Sequence, residues 1–318
     1  MLDIQKNINL SQYTTFKIGG PAKEFVAVKS EDELIEALQY AKENKLRYYI
    51  LGGGSNVFFD DKGFDGLVIR TESAGGIKLL EENRIESWTG ESLGNVVSFA
   101  RDNALSGMEE LSGIPGQFGG AVRGNAGAFG AELKDTVISV KALDVSGEEP
   151  KVRTFNHDEC EFSYRTSLFK KNPNIIILSA VMQLKNGNKE EIEGKMKEIN
   201  KKRMERQPTG WYGCAGSFFE NPTVENKELI EKFEKDTGVK ITDGKIPAGW
   251  LIEEAGFSGK KVGGVEVSEK HANFVINTGT GSAEDIVMLV SLIKQKVRSQ
   301  LGVQLKEEVN YVCYQLVC

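Results

Sequence analysis

The chain has 318 residues, of which 40% are apolar and 8% aromatic, so it is long enough for two or three domains with hydrophobic cores. Its 46 acidic and 40 basic side chains give a net charge of −6, which excludes a protein whose whole surface binds a polyanion such as nucleic acid. No apolar run reaches the roughly 20 residues that span a bilayer, and four cysteines with two histidines favour neither a disulfide framework nor a zinc site. We therefore expect a cytoplasmic protein with no membrane insertion, no metal and no nucleic-acid partner.

Strand and helix signals alternate over the first 71 residues. An apolar strand at residues 25–28 precedes Ser30, which forms the capping-box pattern of a helix start with Glu33. Residues 48–51 and 67–69 have the pattern of buried strands on either side of a glycine-rich loop. This order predicts a βαβ unit.

The rest of the chain is predicted to divide after a long charged helix. The predicted helices are residues 93–104, 189–206, 248–255 and 283–301. The predicted strands are residues 137–143, 175–184, 274–276 and 309–316. Residues 207–210 end the charged helix, so we place domain boundaries at 1–71, 72–206 and 207–318.

The loop after the strand at 48–51 is a candidate phosphate site. Consecutive glycines let backbone N–H groups converge on an anion without obstruction by side chains. The loop has no following lysine, so it is not a GxxxxGK[ST] loop, and a tight strand-to-loop turn is the alternative reading. Its candidate cofactor-binding residues are Gly52, Gly53, Gly54, Ser55 and Asn56.

A second glycine-rich segment spans residues 113–130, where seven of 18 positions are glycine. Its remaining residues include Ile, Pro, Phe, Val and Ala, unlike a flexible linker, so the segment suits backbone that lies close against a flat ligand. A glycine-rich packing corner is the alternative. The candidate cofactor-binding residues are Gly113, Ile114, Pro115, Gly119, Gly120, Ala121, Asn125 and Gly127. Two such segments suggest a dinucleotide.

Three polar residues outside these segments are candidates for chemistry. Arg165 lies among aromatic residues and is either a solvated edge residue or a fork for a carboxylate or phosphate. Ser217 stands between a glycine and two phenylalanines, where a turn hydroxyl is common, and it lacks the GxSxG pattern of hydrolases. Glu308 opens the last predicted strand, where a carboxylate is commonly only solvated. None of the three carries a function alone.

In chain order, these segments together resemble the UDP-N-acetylenolpyruvoylglucosamine reductase family. The motifs that carry the resemblance are YTTFKIGGPA, LGGGSNV, GIPGQFGGAVRGNAGAFG, FSYRTSLFK, AGSFFENP, AGWLIEEAG, VGGVEVSEKHANFVIN and EEV. Each motif is weak alone, whereas the ordered set is specific and covers nearly the whole chain. The resemblance implies an α+β fold: a two-part FAD-binding region of the vanillyl-alcohol-oxidase/PCMH type (1–71 and 72–206) and a C-terminal α/β substrate domain (207–318).

The resemblance also implies an enzyme. Members of the family bind FAD without a covalent link and use NADPH to reduce UDP-N-acetylglucosamine enolpyruvate to UDP-N-acetylmuramate in peptidoglycan precursor synthesis. By position, Ser217 is similar to the family's proton donor, and Arg165 and Glu308 match the pair that stabilises the intermediate. The two glycine-rich segments resemble its FAD-contacting segments.

Substrate contacts are implied less directly. The candidate substrate-binding residues are Tyr164, Arg203, Arg206, Asn221 and His271. Family members often have lysine where this chain has Glu220, and the short interval after Arg165 favours the shorter (type II) subclass. Two other functions stay open: another FAD-dependent oxidoreductase with the same flavin fold, and a catalytically silent nucleotide-sugar binding protein.

Overall fold

The structure, a computed structural model, describes residues 2–208, 213–242 and 244–315 and divides into two compact units. Unit 1 comprises Met1–Lys6, Glu24–Gly53 and Gly66–Glu205. Unit 2 comprises Asn7–Lys23, Gly54–Asp65 and Arg206–Cys318. The C-terminal unit therefore includes two pieces of the N-terminal sequence. The division at 1–71, 72–206 and 207–318 stays a prediction, and residues 209 and 210 of the expected boundary lie outside the described residues.

Five of the described helices lie where the sequence predicts them, whereas those at Phe118–Arg123, Leu168–Lys171 and Lys227–Thr237 are not among the predicted helices. The described helices are α1 (Glu31–Glu43), α2 (Leu93–Asp102), α3 (Phe118–Arg123), α4 (Leu168–Lys171), α5 (Lys189–Arg206), α6 (Lys227–Thr237), α7 (Ala248–Glu254) and α8 (Ala283–Leu301). Ser30 accepts a hydrogen bond from the Glu33 N–H (3.2 Å) at the start of α1, but the Glu33 carboxylate accepts from the Lys29 N–H and not from Ser30. None of the helices in the described ranges is long and apolar enough to cross a bilayer.

The strands are more numerous than the sequence pattern indicates, and those predicted at 25–28 and 67–69 are longer than expected. The described strands are β1 (Gln5–Asn9), β2 (Pro21–Val28), β3 (Tyr48–Leu51), β4 (Val57–Phe59), β5 (Phe64–Thr71), β6 (Ile77–Leu80), β7 (Arg84–Trp88), β8 (Leu105–Ser106), β9 (Gly127–Ala128), β10 (Ala131–Glu132), β11 (Val137–Asp144), β12 (Lys151–Asn156), β13 (Ile175–Gln183), β14 (Lys185–Asn186), β15 (Gly213–Ser217), β16 (Lys261–Val262), β17 (Val265–Val267), β18 (Phe274–Asn277) and β19 (Asn310–Val312). The last strand predicted at 309–316 is wrong in extent, because pairing ends at Val312; residue 316 lies outside the described residues.

Unit 1 is built on two sheets. The larger has the strand order β12-β11-β13-β7-β6, and all of its pairings are antiparallel. In the other, β5 lies between β2 and β3, and β3 pairs with β5 in parallel. The apolar faces of α2 and α3 pack with the larger sheet in one hydrophobic cluster, and α1 packs with β2 and β5 in another. Strand β3 leads into the first glycine-rich segment, and α3 lies within the second.

Unit 2 is built on an antiparallel sheet with the strand order β15-β18-β17-β16. Helix α8 contributes its apolar face to the same core as β17 and β18. A separate parallel pair joins β19 to β4, with Asn310 opposite Val57. Ser282 caps the start of α8, and Gly302, at φ +70°, ends it as the sequence predicts. The sheet and the β4–β19 pair carry the candidate residues of this unit.

Candidate active site

The two glycine-rich segments meet within unit 1. A Cβ on Gly53 would lie 3.0 Å from the Gly116 Cα, and a Cβ on Gly52 would lie 3.1 Å from the Gln117 Oε1. The Gln117 amide is held in turn by Thr71, since it accepts from the Thr71 hydroxyl (2.8 Å) and donates to the Thr71 carbonyl (2.7 Å). Glycine at 53 therefore lets backbone approach backbone, and glycine at 52 leaves room for the Gln117 side chain.

Adjacent glycines in α3 have different surroundings. A Cβ on Gly119 would lie 1.7 Å from the Thr89 Oγ1, so internal packing explains that glycine. A Cβ on Gly120 would meet nothing within 4 Å, and Gly120 is exposed without a positive φ. Glycine inside a helix costs up to about 1 kcal/mol relative to alanine. The exposed face at Gly120 is a surface on which a flat cofactor can lie against bare backbone, so the residues present fit the expected FAD.

The other predicted residues of this segment fall into an exposed and a packed group. Gly113 and Pro115 are exposed, like Gly120. Ile114 and Ala121 are partly buried against the core of unit 1. Gly113 (φ +75°) also lies against α5, because a Cβ there would be 2.5 Å from the Asn200 Oδ1. The exposed group marks the side of the segment that a ligand can reach.

Asn125 joins the glycine-rich segment to the turn that carries Arg165. Its fully buried amide donates to the Ser163 carbonyl (2.9 Å) and to the Glu132 carboxylate (3.2 Å), and accepts from the Lys134 N–H (2.9 Å). The side chain is thus occupied inside unit 1. Any contact between Asn125 and the cofactor would therefore be made by its backbone or by the turn that its side chain holds.

Arg165 lies in a strained two-residue turn. Ser163 and Thr166 exchange both backbone hydrogen bonds (3.0 and 3.1 Å), and Arg165 has φ +55°, in the left-handed region that favours glycine. Its Nη2 donates to the Gly127 carbonyl (2.9 Å), and its guanidinium lies 5.1 Å from the centroid of the Tyr164 ring. The left-handed conformation costs about 1–2 kcal/mol for a non-glycine residue, and the turn holds Arg165 in it.

Ser217 and Glu308 come together in unit 2. Ser217 ends β15 beside a register shift, after Gly216 at φ +74°, and pairs with Phe274. The next residue, Phe218, accepts through its carbonyl a hydrogen bond from the Glu308 N–H (2.8 Å). Both Ser217 and Glu308 are partly exposed. One hydrogen bond thus places two predicted catalytic residues on neighbouring chain segments, while Arg165 belongs to unit 1.

The second half of the first glycine loop belongs to unit 2. Gly54 (φ +66°) packs so tightly that a Cβ would lie 1.9 Å from the Tyr13 carbonyl oxygen. The Asn56 side chain donates to the Glu308 carbonyl (3.0 Å), and the Asn56 carbonyl accepts from Asn310. Ser55 is partly exposed between them. This half of the loop is therefore tied to the segment that carries Glu308.

The candidate substrate residues differ in how much of their side chain is already engaged. Arg203 on α5 is half-buried: its Nε donates to the Ser112 carbonyl (2.8 Å), its guanidinium lies 5.3 Å from the Phe129 ring centroid, and burial lowers its pKa. Arg206, one turn on, is exposed.

Asn221 and His271, in unit 2, each make a hydrogen bond to backbone. The Asn221 Oδ1 accepts from the Ala248 N–H (2.9 Å) at the start of α7. The His271 Nδ1 accepts from the Asn273 N–H (3.2 Å), and burial lowers the pKa of His271. A lowered pKa keeps the imidazole neutral at pH 7, in the form that can accept this hydrogen bond.

Glu220 is paired within unit 2. Its carboxylate lies 3.2 Å from the Lys306 Nζ, and its side chain is only 15% exposed. The Glu220 N–H also donates to the Lys306 carbonyl (3.0 Å). The negative charge is therefore balanced by a neighbouring cation.

Three amide side chains that were not predicted from the sequence bond residues in or near the candidate segments, one in unit 1 and two in unit 2. Gln117 holds Thr71, as described above, and Asn310 holds Asn56. Asn273 accepts from the Phe219 N–H (2.9 Å) and donates to the Phe219 carbonyl (2.8 Å). The sequence signal in each case is an amide inside an otherwise apolar or glycine-rich motif.

The described residues hold no group of three or more His, Cys, Asp or Glu that could bind a metal.

Comparison with known proteins identifies both parts of the chain. Residues 22–153 match the FAD binding domain family, and residues 207–312 match the UDP-N-acetylenolpyruvoylglucosamine reductase C-terminal domain. The UDP-N-acetylenolpyruvoylglucosamine reductase of Solibacter usitatus is 36% identical over 312 residues, 98% of this chain and 97% of the relative. That of Caldanaerobacter subterraneus subsp. tengcongensis is 37% identical over 306 residues, 96% of this chain and 92% of the relative.

A solved structure agrees with the sequence comparisons. The crystal structure of the reductase from Thermus caldophilus covers 98% of this chain and 100% of its own, with a TM-score of 0.76 and 30% identity. The expected α+β fold, with an FAD-binding region followed by a distinct C-terminal domain, is confirmed. The chain belongs to the UDP-N-acetylenolpyruvoylglucosamine reductase family, a family of FAD-containing oxidoreductases of peptidoglycan synthesis.

Proposed function

We propose that this chain, in the cytoplasm, uses NADPH to reduce UDP-N-acetylglucosamine enolpyruvate to UDP-N-acetylmuramate. The two glycine-rich segments would hold FAD without a covalent bond, and the bound cofactor would supply hydride transfer from NADPH to the enolpyruvyl double bond. The observation that carries the proposal is the Phe218–Glu308 backbone hydrogen bond, which holds Ser217 and Glu308 on adjacent segments. The length of the chain, 318 residues, supports the shorter subclass of the family.

The proposed cofactor site uses the two glycine-rich segments. Its residues are Gly52, Gly53, Gly54, Ser55, Asn56, Gly113, Ile114, Pro115, Gly119, Gly120, Ala121, Asn125 and Gly127. The close approach of Gly53 to Gly116 and the open surface at Gly120 support a role for bare backbone in holding the cofactor. Backbone N–H groups are the natural partners of its pyrophosphate.

Arg165 is the proposed partner of the substrate carboxylate. Hydride addition to a double bond conjugated with a carboxylate moves negative charge onto that carboxylate. A guanidinium offers two parallel donors to a carboxylate and stabilises the developing charge. The strained turn that holds Arg165 (φ +55°) supports this role, because strain at a non-glycine residue is typical of functional positions.

Ser217 is the proposed proton donor. After hydride addition, the neighbouring carbon carries the negative charge and takes a proton from the Ser217 hydroxyl. Glu308 would pass a proton to the serine oxygen, directly or through a water molecule, and would take a proton from solvent in its place, so that both residues end the cycle in their starting states. The hydrogen bond from the Glu308 N–H to the carbonyl of Phe218, the residue after Ser217, supports these two roles.

The nucleotide portion of the substrate is proposed to contact Tyr164, Arg203, Arg206, Asn221 and His271. The exposure of Arg206 supports contact with a diphosphate. The Arg203 Nε donates to the Ser112 carbonyl, so Arg203 would contact the substrate through its other guanidinium nitrogens. The neutral form of His271 supports a hydrogen bond to substrate in place of a charge contact.

The test separates the two half-reactions. Purified Ser217→Ala should be yellow and bleached by NADPH at the wild-type rate, but UDP-N-acetylglucosamine enolpyruvate should not restore its colour. Ser299→Ala, on the exposed side of α8, is the matched control and should behave as wild type. Equal loss of both steps in Ser217→Ala contradicts its role as proton donor.

The two alternative functions give different results in the same assay. A wild-type protein that stays colourless after FAD is added would be a nucleotide-sugar binding protein. A yellow wild-type protein that NADPH bleaches, but that the enolpyruvyl substrate does not reoxidise, would be another flavin oxidoreductase.

A further inference from the structure

We propose that Asn310 is a positioning residue for Glu308 and acts through Asn56; this inference rests on the proposed function. The Asn56 carbonyl accepts two hydrogen bonds from Asn310, one from its backbone N–H (3.0 Å) and one from its side-chain Nδ2 (3.0 Å). The Asn56 side chain donates to the Glu308 carbonyl (3.0 Å). The two asparagines therefore hold each other and the Glu308 peptide in one network, which we call the asparagine clamp.

The clamp fixes one of the two peptide groups that flank the Glu308 Cα. The other is fixed by the hydrogen bond from the Glu308 N–H to the Phe218 carbonyl (2.8 Å). Two flanking peptide planes determine the direction of the Cα–Cβ bond, so these contacts determine where the carboxyl group starts. The Phe218 contact ties Glu308 to the segment of Ser217, and the clamp sets its orientation there.

The Asn310 side chain adds a contact that strand pairing does not need. The parallel register places Asn310 opposite Val57 and Tyr311 opposite Phe58, and the Asn310 N–H already bonds Asn56. The second bond, from the Asn310 Nδ2, is accepted by the same Asn56 carbonyl. The Asn56 side chain in turn donates to the Glu308 carbonyl. Loss of the Asn310 Nδ2 bond should leave the Asn56 carbonyl held by the Asn310 N–H alone, so the Asn56 side chain should be positioned less firmly and Glu308 should be misplaced with β19 still paired.

The test compares flavin reduction by NADPH with reoxidation by the enolpyruvyl substrate in the holoenzyme. Asn310→Ala should keep the reduction rate within about twofold of wild type and slow reoxidation about tenfold, because small misplacements of a reacting group are costly. Asn310→Asp, which has the same shape but turns a donor into an acceptor, should slow reoxidation at least as much. If neither variant slows reoxidation selectively, the inference is overturned.

Tyr311→Phe is the matched control. It removes one side-chain hydrogen bond of the same strand, from the Tyr311 hydroxyl to the Asp60 carboxylate (2.9 Å), and keeps the ring that stacks on Phe58 (centroids 4.9 Å apart). It should lower stability as much as Asn310→Ala but leave reoxidation unchanged. Equal slowing in both variants would assign the effect to loosening of β19 and would overturn the inference.

A double-mutant cycle tests whether Asn310 acts through Glu308. In the Glu308→Gln background, Asn310→Ala should cause no further slowing of reoxidation, whereas independent roles would multiply the two effects. If the effects of the two substitutions on reoxidation multiply, the positioning role of Asn310 is overturned and the proposed function is not. Failure of the wild-type enzyme to be reoxidised by the substrate, or a Glu308→Gln variant as fast as wild type, overturns the proposed function and this inference with it.

Discussion

Substituting alanine for Gly120 tests the proposed cofactor surface most sharply. Nothing in the described chain lies within 4 Å of the added Cβ, and φ is not positive at this position. Alanine should therefore stabilise α3 in the apoprotein, by up to about 1 kcal/mol. The added methyl group would occupy the space where the cofactor is proposed to lie. FAD affinity should fall at least about tenfold, which corresponds to about 1.4 kcal/mol.

The neighbouring glycine should behave in the opposite way. A Cβ on Gly119 would lie 1.7 Å from the Thr89 Oγ1 and 2.8 Å from the Thr89 Cβ. The resulting overpacking should destabilise the apoprotein by about 1–3 kcal/mol. The Gly119→Ala apoprotein should therefore be less stable than wild type, whereas Gly120→Ala should be more stable and should bind FAD more weakly.

Gly194→Ala provides the matched control for helix propensity. Gly194 is exposed in α5, and a Cβ there also meets nothing within 4 Å. This variant should gain a similar stability and bind FAD as wild type does. The assays are urea unfolding of the apoprotein and titration of flavin fluorescence. If Gly120→Ala binds FAD as tightly as Gly194→Ala, the exposed face of α3 does not hold the cofactor.

Three further predictions concern single side chains. Arg165→Ala and Arg165→Gly should both lose reoxidation by substrate, but urea unfolding should show the glycine variant to be more stable by about 1 kcal/mol, since only glycine relieves the left-handed strain; equal stability would contradict the strain. Burial lowers the pKa of His271 in the folded chain, so its contribution to stability is present above the unfolded pKa of about 6.5 and is lost as pH falls through the folded value. Unfolding midpoints at about pH 8 and about pH 5 should differ less in His271→Gln than in wild type, and an unchanged difference would refute this. Asn221→Ala should cost about 1 kcal/mol in unfolding free energy through loss of the acceptor for the Ala248 N–H, and no loss would show that α7 does not need this cap.

Local signals predicted five of the described helices and both glycine-rich segments, but they missed α3, α4 and α6. Helical spacing of apolar residues, followed by Gly302, predicted α8 at 283–301, and both of its ends are correct. Such features depend on residues within a few positions of each other. The ordered motifs then predicted the family, its fold and its cofactor, which the comparisons confirmed.

Long-range pairing could not be predicted from the same signals. The first glycine loop divides between the units after Gly53, and Asn56 pairs with Asn310 across 254 positions of sequence. No local preference of an asparagine indicates such a partner. The extent of β19 was wrong for the same reason, because an apolar run forms a strand only as far as its neighbour, β4, continues.

The turn at Arg165 shows what a local signal leaves open. From its aromatic neighbours alone, Arg165 could be either a solvated edge residue or a fork for a carboxylate or phosphate. The structure gives a left-handed arginine whose Nη2 bonds Gly127, in the segment predicted to hold the cofactor. Backbone conformation at a non-glycine residue is set by its surroundings, so the sequence did not reveal this strain.

The most direct test of the account is an anaerobic titration of the purified wild-type protein followed by its visible spectrum. The protein should be yellow, should bleach on addition of NADPH, and should regain its colour with UDP-N-acetylglucosamine enolpyruvate as UDP-N-acetylmuramate forms. A protein that NADPH bleaches and the enolpyruvyl substrate leaves colourless would contradict the proposed reaction.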